Sequence, residues 1–142
     1  MSNFTIKFIL VSLFLAVGGT ATAHAQTNGA ILRADIPYDF VLRDKTFPAG
    51  KYTIQRTYST GDSPSLLVLQ GEKDSAIFDT LASNSNDAAK STHLVFDVAD
   101  GVYFLSKIRV KGSTTGSDIL KTRSEAKRIA QAKSKKSVTV GP

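Results

Sequence analysis

The chain has 142 residues, 42% of them hydrophobic, with no Cys and no Trp; 18 Lys and Arg against 12 Asp and Glu give a formal net charge of +6. Zero Cys excludes a disulfide framework, thiol catalysis and a thiolate-ligated metal in one step. The two His, His24 and His93, are too few for a His-rich metal centre, and the length suits one compact domain that must be held together by its core alone.

The first 25 residues read as a secretory signal. Lys7 is the only charge before Arg33. Phe8 to Val17 form an apolar run about half the roughly 20 residues that span a bilayer, Gly18-Gly19-Thr20 breaks it, and Ala23-His24-Ala25 supplies a small-x-small cleavage pattern. The expected mature chain starts at Gln26, is periplasmic or extracellular, carries no transmembrane segment, and retains His93 as its only histidine. A twin-Arg signal is absent, and without Cys a lipoprotein route is closed.

A polar lead over residues 26–30 precedes a body of short β segments separated by turn chemistry. Ile31 to Ile36 is the first strand, stopped by Pro37, which cannot donate to a sheet ladder. Tyr38 to Arg43 is the second, followed by turns at Asp44-Lys45 and Phe47-Pro48-Ala49-Gly50. Lys51 to Tyr58 alternates, with Tyr52, Ile54 and Tyr58 on one face. The breaker cluster Ser59 to Pro64 leads into Ser65 to Gln70, whose Leu66-Leu67-Val68-Leu69 run predicts a central strand buried on both faces. Gly71 to Asp74 turns the chain into Ser75 to Leu81, and Ala82 to Ser91 reads as a polar loop.

The best-specified unit is the next hairpin. Leu94, Phe96 and Val98 alternate on one strand and Val102, Phe104, Ile108 and Val110 on the other, so all are expected to face one core. Ala99-Asp100-Gly101 suits a three-residue turn with Gly in the left-handed position. Lys111 to Ser117 reads as a small-residue loop. Thr122-Arg123-Ser124-Glu125 fits a capping box. The helix it starts is expected to reach Lys133, with Ala126, Ile129 and Ala130 as a thin apolar stripe, and residues 134–142 read as a flexible tail. The expected fold is mainly β: a small single-domain β-sandwich or partly open barrel of about seven strands, residues 26–118, with one C-terminal basic helix over residues 119–133.

Ile36-Pro37-Tyr38-Asp39-Phe40, Pro48-Ala49-Gly50-Lys51-Tyr52 and Tyr103-Phe104-Leu105, with the helix start at Thr122, resemble a group of short exported bacterial β-rich proteins. That group shares an Ile-Pro-Phe-Asp-Phe segment, a Pro-Ala-Gly-x-Tyr turn and a Tyr-Phe-Leu strand. The resemblance covers most of the mature chain and implies a small exported β domain without an assigned activity. This chain departs from the pattern at Ile108-Arg109-Val110, where an aromatic is common.

Enzymatic readings lack parts. A Ser-His-Asp arrangement would have to use His93, which the alternation places on a solvated strand face, roughly opposite Lys107. Asp35, Asp39, Asp79 and Asp97 could supply acid and base for hydrolysis, but their spacing pairs no two of them. Gly112-Ser113-Thr114-Thr115-Gly116-Ser117 lacks both the four-residue spacing and the Lys of a phosphate loop. No cofactor or metal motif is present. Tyr52, Tyr58 and Tyr103 could form a sugar-stacking platform, although core packing is the commoner role for strand tyrosines.

Charge placement is the one feature with functional leverage. From Gln26 to Ser106 seven basic residues face ten acidic ones, net −3; from Lys107 onward ten basic residues face two acidic ones, net +8. The candidate site is therefore an anionic-surface site at Lys121, Arg123, Lys127, Arg128, Lys133, Lys135 and Lys136, with anionic polysaccharide or lipid headgroups as partners. No aromatic follows Phe104, so sequence-specific nucleic-acid recognition from this segment is not expected. The leading functional expectation is an exported non-enzymatic β domain with a binding or envelope-associated structural role. The alternatives are a carboxylate hydrolase and attachment through the basic helix.

Overall fold

The computed structural model describes residues 30–57 and 66–142. The expected signal sequence, the lead up to Gly29, Tyr58 and the breaker cluster Ser59 to Pro64 lie outside the described residues. The fold is mainly β, as the sequence implied, but the described residues form ten strands and one helix rather than about seven strands and a tail.

Strand β1 (Ala30–Ile36) buries Leu32, Ala34 and Ile36 and exposes Arg33 and Asp35, the period-two pattern of a half-buried strand that ends at Pro37. Strands β2 (Phe40–Leu42) and β3 (Lys45–Phe47) form a tight hairpin. Its turn residues are Arg43 and Asp44, at φ 56° and 63°, one position earlier than the sequence suggested because Lys45 pairs with Leu42. Strands β4 (Gly50–Arg56), β5 (Leu66–Gln70) and β6 (Ser75–Asn84) run as an antiparallel meander beside β1. Only one face of β5 is fully buried: Leu67 and Leu69 point into the core, while Leu66 and Val68 on the outer face are half-buried. Beside them on β6, Ile77 and Leu81 are exposed.

Strand β6 is the joint of the structure. Its first half pairs with β5, and Thr80 to Asn84 pair with β9 (Thr115–Ile119). Both segments were expected as loops where they meet, at Ala82 to Asn84 and at Thr115 to Ser117. Thr115-Gly116-Ser117-Asp118-Ile119 carries one large apolar residue, so its strand identity comes from backbone pairing on both sides rather than from its own pattern.

The expected hairpin forms from β7 (His93–Ala99) and β8 (Val102–Arg109). Its turn is the two residues Asp100 and Gly101, both at positive φ (48° and 81°), the geometry that an Asp-Gly pair favours in a right-twisted hairpin. The assumed parity is corrected by a β-bulge. Val95 pairs with Lys107 and Phe96 with Leu105, so Ser106 is an extra residue in β8. Leu94, Phe96, Leu105 and Ile108 therefore share the main core, whereas Phe104 faces the opposite side of the sheet and Val110 is partly exposed. On its other edge β8 pairs with β2 in parallel and with β9 in antiparallel fashion.

Residues after the helix are not a free tail. Strand β10 (Lys135–Val140) pairs antiparallel with β7, register Val138 to Phe96 and Val140 to Leu94. Alternation of Val138 and Val140 with Ser137 and Thr139 suits an edge strand. The sheet runs β1-β4-β5-β6-β9-β8-β2-β3, with β7 and β10 beyond β8, and is open and unclosed. It curves around one core in which Phe40, Phe47 and Phe96 are fully buried. Phe40 meets Tyr52 and Phe96 edge to face at centroid distances of 5.2 and 5.6 Å.

Candidate functional site: the docked basic helix

Helix α1 (Arg123–Gln131) begins with a complete capping box. Thr122 Oγ1 accepts from the Glu125 N–H at 3.2 Å, and Glu125 Oε2 accepts from the Thr122 N–H at 2.8 Å. The apolar stripe is not the expected one: Ala126 and Ala130 are exposed, and the docked face is Glu125, Ile129 and Ala132. Ile129 and Ala132 pack on Val41, Ala99, Val102 and Phe104, a small second core on the outer side of the sheet. The bulge at Ser106 is what turns Phe104 out to meet the helix.

Glu125 is 3% exposed, the only buried residue of the helix. Its second oxygen accepts from the Asp44 N–H at 3.2 Å, tying the helix N-terminus to the β2–β3 turn. Asp44 in turn accepts a hydrogen bond from the Ser124 hydroxyl. That bond first, then the Thr122 hydroxyl, holds the Asp44 carboxyl below its ordinary value of 3.8, with Arg128 and Arg43 acting in the same direction. The other end is anchored by the β7–β8 turn. Asp100 accepts from the Lys133 and Ser134 N–H groups at 3.3 and 2.9 Å, and its own N–H donates to the Ser134 carbonyl at 3.0 Å.

The seven sequence-selected cations divide accordingly. Lys121 is drawn into the structure: Nζ lies 3.1 Å from Asp97 Oδ2 and 3.0 Å from Ser106 Oγ, which donates to the same carboxylate at 2.8 Å. Lys135 Nζ donates to the Ala130 carbonyl at 3.1 Å, satisfying a C-terminal helix acceptor. The Arg128 guanidinium stands 5.0 Å from the Phe104 ring centroid, a cation–π contact. Arg123, Lys127, Lys133 and Lys136 remain exposed, with no acidic partner among the described residues. The structure thus removes Lys121 from the candidate surface, uses Lys135 and Arg128 to hold the helix, and leaves four cations presented outward.

Other candidates resolve differently. His93 stands opposite Arg109, not Lys107, and its Nδ1 lies 2.9 Å from the Ser91 carbonyl oxygen. Asp35 is exposed, Asp39 accepts from the Ala49 N–H at 2.9 Å, and Asp97 is occupied by Ser106 and Lys121. The four strand aspartates named above share no hydrogen bond or ion pair with one another among the described residues. Gly112 to Ser117 turns into β9, with the Ser113 hydroxyl bonded to Thr115 backbone. Of the expected tyrosine platform, Tyr58 lies outside the described residues; Tyr52 is buried and donates to the Pro48 carbonyl at 2.6 Å, and Tyr103 stacks on Tyr38 at 3.7 Å. Glu125, Asp44 and Asp100 were missed as site residues. The capping-box spacing was the signal for Glu125, but only the fold shows that its carboxylate also reaches the β2–β3 turn. Comparison of the chain with protein-family models, curated proteins and solved structures finds no match.

Proposed function

We propose that this protein is an exported, non-catalytic β domain that attaches to anionic polymers or surfaces, acidic polysaccharide or lipid headgroups, through the outer face of α1 and the start of β10. One observation carries the reading. Both ends of the helix are fastened by carboxylates of Glu125 and Asp100 that accept backbone N–H groups, so the acidic residues nearest the helix are engaged there while Arg123, Lys127, Lys133 and Lys136 face outward. A docked helix presents these charges in a fixed array, which lowers the ordering cost of binding relative to a floppy tail.

The test is retention of the purified protein on heparin and on vesicles with and without anionic lipid. Each Lys or Arg near an anionic bilayer contributes about 1 kcal/mol, so Arg123→Glu/Lys127→Glu/Lys133→Glu should weaken vesicle binding by at least about 100-fold. Binding of the unaltered protein should fall as salt is added. Unchanged binding by the triple variant would refute the proposal. Deleting residues 121–142 would be a poor substitute, because it strips β10 from β7 and uncovers Phe104. N-terminal sequencing of the protein recovered outside the cytoplasm checks export, with Gln26 expected first.

A further inference from the structure

We infer that the cavity at the Arg56 end of the sheet's inner face is a second binding site, for a small carboxylated, hydroxyl-rich ligand of the uronic acid class. Along the inner face, Ile54 of β4, Phe78 of β6, Ile108 of β8 and Ile119 of β9 are apolar and buried. Further along the same strands burial falls away: Thr80 is buried and Ser117 half-buried, while Arg56, Ala82, Thr115 and, just past the end of β8, Val110 are exposed. These residues surround a cavity of about 340 Å³, within the range of small-molecule sites at the mouths of β-barrels.

The lining dictates the ligand. Among the described residues Arg56 is its only charged lining residue, and a guanidinium presents paired donors that match one carboxylate. The same lining includes the hydroxyl residues Ser113, Thr115 and Ser117, whose side chains can both donate and accept. Two are already positioned: Ser113 Oγ donates to the Thr115 carbonyl at 2.8 Å, and Thr115 Oγ1 donates to Asn84 at 3.3 Å. Ile108 and Val110 add an apolar wall for the C–H face of a sugar ring. One positive charge, several hydroxyls and a short apolar wall fit a monoanionic sugar acid better than a dianion or a hydrocarbon. The cavity is at the Ile108 end of β8, whereas α1 covers the Phe104 end, so the two sites can be altered separately.

The probe is glucuronate, titrated into ¹⁵N-labelled protein beside glucose, acetate and inorganic phosphate. Glucuronate should shift the amide signals of Thr80, Thr115, Gly116 and Ser117. Arg56→Ala, an exposed position that leaves the core intact, should weaken glucuronate at least about tenfold, the loss of one charged hydrogen-bond pair; Lys127→Glu on α1 should leave it unchanged. Absence of shifts at these amides, or equal affinity in Arg56→Ala, overturns the site. Acetate or phosphate matching glucuronate overturns the sugar-acid assignment, and glucose matching it overturns the role of Arg56. A protein that loses heparin binding in the α1 variants yet keeps glucuronate binding would separate this inference from the attachment role.

Discussion

Glu125→Ala should be among the most damaging single changes on the helix, although it removes a charged residue from a surface element. The Thr122 N–H loses a carboxylate partner at 2.8 Å, and a hydrogen bond to a charged group is worth about 1.5–3 kcal/mol. The Asp44 N–H loses its 3.2 Å bond; it lies in an exposed turn where water can replace the carboxylate, so this adds only about 0.5–1 kcal/mol. Removing a methylene from a side chain that is 3% exposed adds about 0.8 kcal/mol. The expected loss is about 3–5 kcal/mol, a large share of the roughly 5–15 kcal/mol that holds a domain of this size. Glu125→Gln keeps one acceptor oxygen and should lose about half as much. Equilibrium urea unfolding measures it, as a lower midpoint at an unchanged slope. A Glu125→Ala protein within 0.5 kcal/mol of the parent, the range of ordinary surface substitutions, would show that the helix is not fastened by this carboxylate.

Phe104→Ala should cost about 3–5 kcal/mol and, because Phe104 lies under α1 rather than in the main core, should speed amide exchange in Arg123 to Gln131 before it does so in β4 and β5; uniform loss of protection would contradict the two-core division. Tyr38→Phe should be neutral or stabilising by up to about 1 kcal/mol in thermal unfolding, since the Tyr38 hydroxyl is buried without a hydrogen-bond partner among the described residues. A clear destabilisation would mean that the hydroxyl is satisfied. For pH dependence, the Asp44 carboxyl is lowered chiefly by the Ser124 hydroxyl, so its contribution is complete above the ordinary value of 3.8 and fades as pH falls through the lower folded-state value. Asn tolerates the left-handed backbone at this position, so Asp44→Asn should be less stable than the parent near neutral pH and converge with it in acid; a gap that widens on acidification would reverse the sign of the argument.

Much of the sheet was legible because binary alternation and breaker residues report directly on burial: Tyr52 and Ile54, and Leu94 and Phe96, point inward as their spacing implied. What escaped was set by pairing rather than by pattern. Ser106 inserts one residue into β8 and exchanges the faces of Phe104 and Leu105, and no periodicity within that strand distinguishes a bulge from a regular strand. The segment Thr115 to Ile119 and the segment Lys135 to Val140 have too little apolar content to announce themselves. Their strand identity comes from backbone hydrogen bonds to β6, β8 and β7. Turning Lys135 to Val140 into a strand also fixes the end of α1, and this is why a basic segment that reads as a fraying helix and tail becomes a held surface. At the site, positive charge was legible from sequence, whereas its division between engaged residues such as Lys121 and outward residues such as Lys127 depended on where Asp97 and Ser106 lie in the folded sheet.

Amide chemical-shift mapping with a heparin oligosaccharide tests the attachment role most directly. The expected result is a contiguous set of perturbations at Arg123, Lys127, Lys133 and Lys136 that diminishes with added salt, accompanied by retained amide protection in α1 and β10. Perturbations centred elsewhere, or binding that is indifferent to salt and to charge reversal at these four positions, would contradict it.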